Sequence, residues 1–205
     1  MANKEADTEW GRAIEKPVVP EKDGRQSNTA DETVDIAIVG GGLVGLAVAI
    51  GLLKKIPHLN IKIYERAPEL RSQSQGILAI QPNGMNALKT IDPEIPQRIN
   101  EVGCERHTRT ITNINADGSV KETVVDTKID SVGKHGQASV GITWHNCQQV
   151  LASLVPMKEE TIITSRSLSY FVEQNESVLL FFENGSVVKT KILLACDGVF
   201  SVVRR

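Results

Sequence analysis

Three glycines with a fixed spacing are the residues of this chain that could do recognisable chemistry. Gly40, Gly42 and Gly45 match the pattern G-x-G-x-x-G. In that pattern the first glycine allows a tight turn, the second lets the backbone approach a pyrophosphate, and the third lets a helix pack closely on a strand. The first turn of the helix, with Leu43 and Val44, offers unpaired N–H groups to phosphates. The spacing therefore predicts a dinucleotide site.

An acidic residue about twenty positions further along supports this interpretation. Glu65 follows the apolar run 61–64, at the expected end of a second strand. A carboxylate there accepts hydrogen bonds from the adenosine ribose hydroxyls and disfavours a 2′-phosphate, which argues against NADP in this groove. The alternative is that Glu65 is only a solvated strand end. Because strand, glycine turn, helix, strand and acid occur in this order, we favour the dinucleotide site.

The glycine turn needs a strand before it and a helix after it. Residues 36–39 form a short apolar run, typical of a strand covered on both faces. The whole uncharged run 36–53 has about the length of a bilayer span. Three consecutive glycines would weaken such a helix by roughly 1 kcal/mol each relative to alanine. A strand, a turn and a helix are predicted here, and no transmembrane segment.

The rest of the chain alternates between predicted helices and strands. A strand is expected at 77–80, helices at 82–91, 95–102 and 143–154, an antiparallel strand pair within 105–125, and three strands at 167–173, 178–183 and 186–194. The pairs Asp117-Gly118 and Asn184-Gly185 are hairpin turn signals. The predicted fold class is α/β, with a Rossmann-like domain, a three-stranded β-meander and part of an inserted antiparallel domain.

Composition excludes several other classes of function. The chain has 205 residues, 40% of them hydrophobic, and a formal net charge of −2. It has no basic stripe, so nucleic acid is not expected as a partner. Its three cysteines are widely separated, which predicts neither disulfides nor zinc and favours a reducing compartment, the cytoplasm. No Ser/His/Asp set, carboxylate pair or metal cluster is evident, so no catalytic residue or metal ligand is predicted.

Three segments resemble the FAD-dependent monooxygenases of the aromatic-hydroxylase type, the family that includes salicylate hydroxylase and zeaxanthin epoxidase. They are Val39–Gly45 together with Glu65-Arg66, Gly76–Asn83, and Ala195–Arg204, which contains D-G-x-x-S-x-x-R. The last segment discriminates best. Many NAD enzymes share the glycine pattern, whereas a D-G motif after a three-stranded meander is typical of this flavoprotein group.

The resemblance implies roles for individual residues. Gly40, Gly42 and Gly45 would hold the FAD pyrophosphate and Glu65 the adenosine ribose. Arg66 would lie alongside the adenine, and Asp197 and Gly198 near the pyrophosphate. The family also implies NAD(P)H as co-substrate and the hydroxylation or epoxidation of a small organic substrate with O2. No oligomeric state is indicated.

The resemblance also implies a domain organisation. Residues 1–33 are expected to be a disordered lead-in, 34–104 the first part of the FAD-binding domain, 105–142 part of a substrate-domain insertion, and 143–205 the continuation of the FAD-binding domain. Family members continue with a second half of comparable size. The chain is therefore expected to be truncated, to bind FAD weakly or not at all alone, and not to hydroxylate efficiently.

Some assignments stay open between two alternatives. Trp144 stands where the family usually has an arginine and is most simply a packing residue, while His145 is either a substitute donor or a solvent-facing residue. Arg204 either holds the D-G loop or lies at the surface, and Arg71 either contacts the flavin side or belongs to a solvated loop. Two other functions are possible: another FAD-linked oxidoreductase of the prenyl-reductase type, or a non-catalytic remnant acting as a binding module.

Overall fold

A six-stranded mixed sheet forms the centre of the protein, whose computed structural model describes residues 30–70, 76–105, 109–126 and 139–204. The strands are β1 (Glu32–Val39), β2 (Ile61–Tyr64), β3 (Ile77–Ile80), β4 (Cys104–Glu105), β5 (Arg109–Ile114), β6 (Val120–Asp126), β7 (Val140–Thr143), β8 (Ile162–Ile163), β9 (Leu168–Gln174), β10 (Ser177–Phe182) and β11 (Val187–Ala195). The helices are α1 (Leu43–Lys55), α2 (Pro82–Ile91), α3 (Glu94–Val102), α4 (Trp144–Leu154) and α5 (Lys158–Thr161).

Strand β1 lies inside the central sheet, whose order is β8-β2-β1-β11-β10-β9. It runs parallel to β2 on one side and to β11 on the other. Strands β9, β10 and β11 form the predicted antiparallel meander, and the β10–β11 turn has Gly185 at a φ of +85°. That φ lies in the left-handed region that glycine adopts without steric cost. The predicted mixed α/β architecture with antiparallel strands is confirmed.

Two smaller sheets lie outside the central one. Strands β5 and β6 form the predicted hairpin, which turns at Gly118 with a φ of +84°. Strands β3, β7 and β4 form a second antiparallel sheet. In this second sheet β3 pairs with β7. Strand β3 lies in the range 34–104, predicted as the first part of the FAD-binding domain, and β7 spans the predicted boundary between residues 142 and 143.

Apolar side chains from both faces of β1 build two cores. Ile36 and Ile38 pack in one cluster with α1 and α4, whereas Ala37 and Val39 belong to a cluster on the other face. All four residues are buried, as expected for a strand covered on both sides. The run 36–53 is therefore a strand, a turn and a helix. None of the helices in the described ranges has both the length and the apolar character of a transmembrane span.

The structure differs from the prediction in its shortest elements. Strand β7 was not predicted. Strand β4, helix α5 and strand β8, which have only two, four and two residues, were not predicted either. Segments this short are below the length at which hydrophobic periodicity is informative. Strand β1 begins at Glu32, so its first two residues lie within the range 1–33 that was assigned to the lead-in. The rest of that lead-in, residues 1–29, lies outside the described ranges.

Candidate functional site

The carboxyl ends of three parallel strands meet at one edge of the central sheet. Val39 at the end of β1 pairs with Tyr64 on one side and with Ala195 on the other. The Gly40 N–H donates to the Tyr64 carbonyl at 2.9 Å, and the Cys196 N–H donates to the Val39 carbonyl at 2.8 Å. This register brings together the three loops that follow the strands. Ligands of open α/β sheets bind at such an edge.

Two glycines of the turn are required by close backbone packing. Gly40 has a φ of +106°, and a Cβ there would lie 2.4 Å from the Cys196 carbonyl oxygen. A Cβ on Gly45 would lie 2.0 Å from the Gly40 carbonyl oxygen. No side chain fits at either distance. These glycines let the turn, the helix and the end of β11 approach one another.

Gly42 has the opposite environment. A Cβ there would meet no atom within 4 Å, and the residue borders an open cleft. Gly42 is the N-cap of α1, and no side chain caps this helix start. The first N–H groups of a helix have no intrahelical partner. Leu43 packs against the core, the Val44 side chain is 64% exposed, and neither residue is among those that line the cleft.

The Glu65 carboxylate is engaged with the glycine turn. Its Oε2 accepts from the Gly41 N–H at 2.6 Å, and its Oε1 accepts from the Ala67 N–H at 3.0 Å. Glu65 is half-buried and is therefore more than a solvated strand end. Each carboxylate oxygen has a second lone pair, so both can still accept from a ligand hydroxyl.

The loop after β11 is organised by Asp197. Its Oδ2 accepts from the Val202 N–H at 2.7 Å, while its Oδ1 is buried and has no hydrogen-bond partner among the described residues. Gly198 has a φ of +83°. The Arg204 guanidinium donates to the Val199 carbonyl and is exposed, so this arginine contacts the D-G loop and also lies at the surface.

These loops line one cleft. Its walls include six of the residues predicted from the sequence: Gly40, Gly42, Glu65, Arg66, Asp197 and Gly198. The cleft has a volume of about 230 Å³. Complete small-molecule sites typically measure roughly 300–1,000 Å³. The cleft therefore accommodates part of a dinucleotide.

Sequence reasoning missed Gln148 and Arg166 and interpreted Trp144 as a packing residue, but all three line this cleft. Trp144 and Gln148 both line it from α4, where positions four apart share a face. Arg166 lines it from the β8–β9 connection, with its side chain donating to the Ser186 hydroxyl at 2.7 Å. The four-residue spacing of Trp144 and Gln148 was the available signal. Arg71 lies outside the described residues, and His145 borders a different cleft.

The ionisable groups of the cleft do not suggest a nucleophile. Burial, and then the neighbouring Asp197 carboxylate, raise the pKa of the Cys196 thiol. Burial, followed by Glu32, raises the pKa of Tyr64, whose hydroxyl donates to Glu32 at 3.1 Å. Both groups are therefore protonated at neutral pH. No group of His, Cys, Asp and Glu that could hold a metal ion occurs among the described residues.

Comparison with curated proteins identifies relatives along most of the chain. FAD-dependent monooxygenase sor5 of Hypocrea jecorina is 31% identical over 184 residues, which cover 89% of this chain and 38% of that protein. The dual trans-enoyl reductase/FAD-dependent monooxygenase tazHJ of Aspergillus terreus is 33% identical over 199 residues, covering 95% and 26%. Zeaxanthin epoxidase of Prunus armeniaca is 28% identical, covering 87% and 27%. The chain resembles FAD-dependent monooxygenases.

The predicted resemblance is thus confirmed, and its extent is defined. The chain spans about a quarter to two fifths of the length of these relatives. No protein-family model matches it.

Solved structures agree on the fold. RebC, a rebeccamycin biosynthetic enzyme, with reduced flavin has a TM-score of 0.66 at 20% identity, over 84% of this chain and 34% of that one. A variant of Klebsiella pneumoniae HpxO complexed with FAD has a TM-score of 0.64 at 17% identity, over 83% and 41%. At these identities the likeness concerns the fold alone.

Proposed function

We propose that this chain is the FAD-binding part of a flavin-dependent monooxygenase, which uses NAD(P)H and O2 to hydroxylate or epoxidise a small organic substrate. The observation that carries the proposal is the common cleft of Gly42, the start of α1 and the Glu65 carboxylate. Its position at the carboxyl edge of parallel strands is typical of a Rossmann-like dinucleotide site.

The residues of the cleft fit FAD in three respects. The open space over Gly42 leaves room for a diphosphate, and the uncapped start of α1 offers N–H groups and a partial positive charge to it. Glu65 offers acceptors to ribose hydroxyls. The buried, unpaired Oδ1 of Asp197 is an acceptor that a ligand hydroxyl or water could satisfy.

Two arginines add to this fit. Arg66 and Arg166 both line the cleft, and each carries a positively charged guanidinium group. Their charges favour an anionic ligand such as the diphosphate of FAD. When bound, FAD supplies the redox chemistry of such an enzyme, and the protein supplies binding, orientation and electrostatics. In this chain Glu65 and the glycine turn orient the adenosine end.

The proposal is tested by flavin titration. The sequence predicts weak or no FAD binding by this chain alone, but because the cleft is formed in the structure we expect the purified chain to bind FAD. Binding should perturb the visible flavin spectrum and quench the tryptophan emission. ADP should compete with FAD, because it carries the adenosine and diphosphate groups that the cleft recognises. FMN, which lacks the adenosine, should not bind, and a 2′-phosphorylated ADP should compete poorly against the Glu65 carboxylate.

A chain that binds no flavin, or that binds FMN as tightly as FAD, would contradict the proposal. Oxidation of NADH and NADPH in the presence of FAD and O2, followed at 340 nm, then separates an oxidoreductase from a module that only binds FAD. Efficient hydroxylation by this chain alone is not expected, and organic products identified by mass spectrometry would overturn that prediction.

A cytoplasmic location forms part of the proposal. All three cysteines are free in the structure, namely Cys104, Cys147 and Cys196. Free thiols are the ordinary state in a reducing compartment. Fluorescence microscopy of the tagged protein would test this.

A further inference from the structure

We propose that Gln148 is a positioning residue of the FAD cleft, which holds the glycine turn through the Gly41 carbonyl group. The inference rests on the proposed function and assigns a role to a residue outside the glycine and D-G motifs. Gln148 lies on α4, far along the chain from the turn, and its side chain reaches the middle glycine.

The contact is short and buried. The Gln148 Nε2 donates to the Gly41 carbonyl oxygen at 2.7 Å, between residues 107 positions apart in sequence. Gln148 is only 2% exposed and also borders the cleft. From the opposite direction, the Gly41 N–H donates to Glu65 Oε2 at 2.6 Å. The middle glycine is therefore held on both sides, by β2 through Glu65 and by α4 through Gln148.

Holding this carbonyl also fixes a neighbouring donor. The Gly41 C=O and the Gly42 N–H belong to one peptide unit, which is planar and trans. In such a unit the C=O and N–H bonds point in opposite directions. The hydrogen bond from Gln148 therefore directs the Gly42 N–H away from α4. Because consecutive glycines have wide conformational freedom, this direction would otherwise be poorly defined.

The orientation of the amide is dictated by the turn. If the Gln148 amide were flipped, its oxygen would face the Gly41 oxygen, and two acceptors would oppose each other. As placed, its Oε1 is buried without a hydrogen-bond partner among the described residues. A glutamine with only a packing role would be expected to have both amide atoms satisfied. Of the two Gln148 amide atoms, only Nε2 is hydrogen-bonded within the described part of the chain, and its partner is the Gly41 carbonyl of the glycine turn.

The test replaces Gln148 by methionine, which keeps the side-chain length and removes the donor. Gln149→Met is the matched control, since Gln149 is the next residue of the same helix and borders a different cleft. We expect Gln148→Met to weaken binding of FAD and ADP about tenfold, as for loss of one buried hydrogen bond. Adenosine, which has no diphosphate, should bind within about twofold of the wild type, and Gln149→Met should bind all three ligands normally.

A second variant keeps the test valid if methionine prevents folding. Gln148→Glu retains the shape, but an ionised carboxylate cannot donate to the Gly41 oxygen, whereas a protonated carboxyl can. Burial raises the pKa of a carboxyl, so this protonation falls within an accessible pH range. The ADP affinity of Gln148→Glu should therefore approach that of the wild type as the pH falls from 8 to 5.

The outcomes separate the inference from the proposed function. Equal weakening of adenosine, ADP and FAD would indicate a general structural role and would overturn the inference, as would normal binding of all three. A Gln148→Glu variant whose ADP affinity, relative to the wild type, does not change with pH would also overturn it. A wild-type chain that binds neither FAD nor ADP would overturn the proposed function and the inference with it.

Discussion

Replacing Gly42 with alanine should separate ligand binding from folding. Gly42 has a φ of −75° and a ψ of −178°, a conformation open to any residue, and its Cβ would meet no protein atom within 4 Å. Gly→Ala at a compatible position stabilises a protein by about 0.4–1 kcal/mol through the unfolded state. Alanine is a poorer N-cap than glycine, which offsets part of this gain. The free energy of unfolding should therefore change by less than about 1 kcal/mol.

The same methyl group should weaken FAD binding strongly. It would occupy the space that borders the cleft, where the proposed diphosphate approaches the backbone. A hydrogen bond to a charged group contributes about 1.5–3 kcal/mol, so losing one from the diphosphate should raise the Kd for FAD roughly 10- to 100-fold. The Kd is measured by flavin titration and the stability by thermal unfolding of the same protein without FAD.

Two other glycines provide controls for this experiment. Gly51 lies within α1, and a Cβ there would be 3.4 Å from the Ile91 Cγ2, so Gly51→Ala should raise the Tm and leave the Kd for FAD unchanged. Gly45→Ala, whose Cβ would lie 2.0 Å from the Gly40 oxygen, should prevent stable folding. A normally folded Gly42→Ala chain with wild-type FAD affinity would refute the placement of the diphosphate over Gly42.

Two further predictions concern a buried carboxylate and the thiols. Asp92 is 1% exposed, and its carboxylate accepts a hydrogen bond from Lys54. Burial raises the pKa of this carboxyl group, but the hydrogen bonds that it accepts outweigh burial and lower the pKa below 3.8. Asp92→Asn should therefore destabilise the protein by about 1–3 kcal/mol at pH 7. The difference in Tm between this variant and the wild type should shrink as the pH falls below 3.8. A Tm difference that stays constant with pH would contradict the ion pair. Burial raises the pKa of Cys147 to about 11. Iodoacetamide at pH 8, followed by peptide mass spectrometry, should therefore label the exposed Cys104 first and Cys147 last, and bound FAD should slow labelling of Cys196 in the cleft. Faster labelling of Cys147 than of Cys104 would contradict the buried position of Cys147.

Elements defined by local steric rules could be predicted from the sequence. The Asp117-Gly118 and Asn184-Gly185 pairs turn where expected, because each glycine has a positive φ that other residues avoid. The strand–turn–helix around Gly42 was equally predictable. At Gly40, Gly118 and Gly185 the residue type follows from a positive φ of the residue itself.

Features that depend on distant contacts could not be predicted in the same way. Strand β7 has four residues, and its partner β3 lies far upstream in the chain. Gln148 is one of two consecutive glutamines on an amphipathic helix, and only the folded structure shows which of them reaches the glycine turn. Periodicity predicts the face of a helix but not the backbone group opposite it.

The candidate site itself depends on strand register as well as on motifs. Three sequence motifs each follow a strand, but they form one cleft only because Val39 pairs with both Tyr64 and Ala195. A shift of one residue in either pairing would move Glu65 or Asp197 about 3.3 Å along the sheet and reverse the faces of the strand's side chains. Burial of both faces of β1 opposes such a shift. The apolar residues of the strands therefore contribute to the site as directly as the glycines, because they fix the strand register and with it the position along the sheet at which each loop begins.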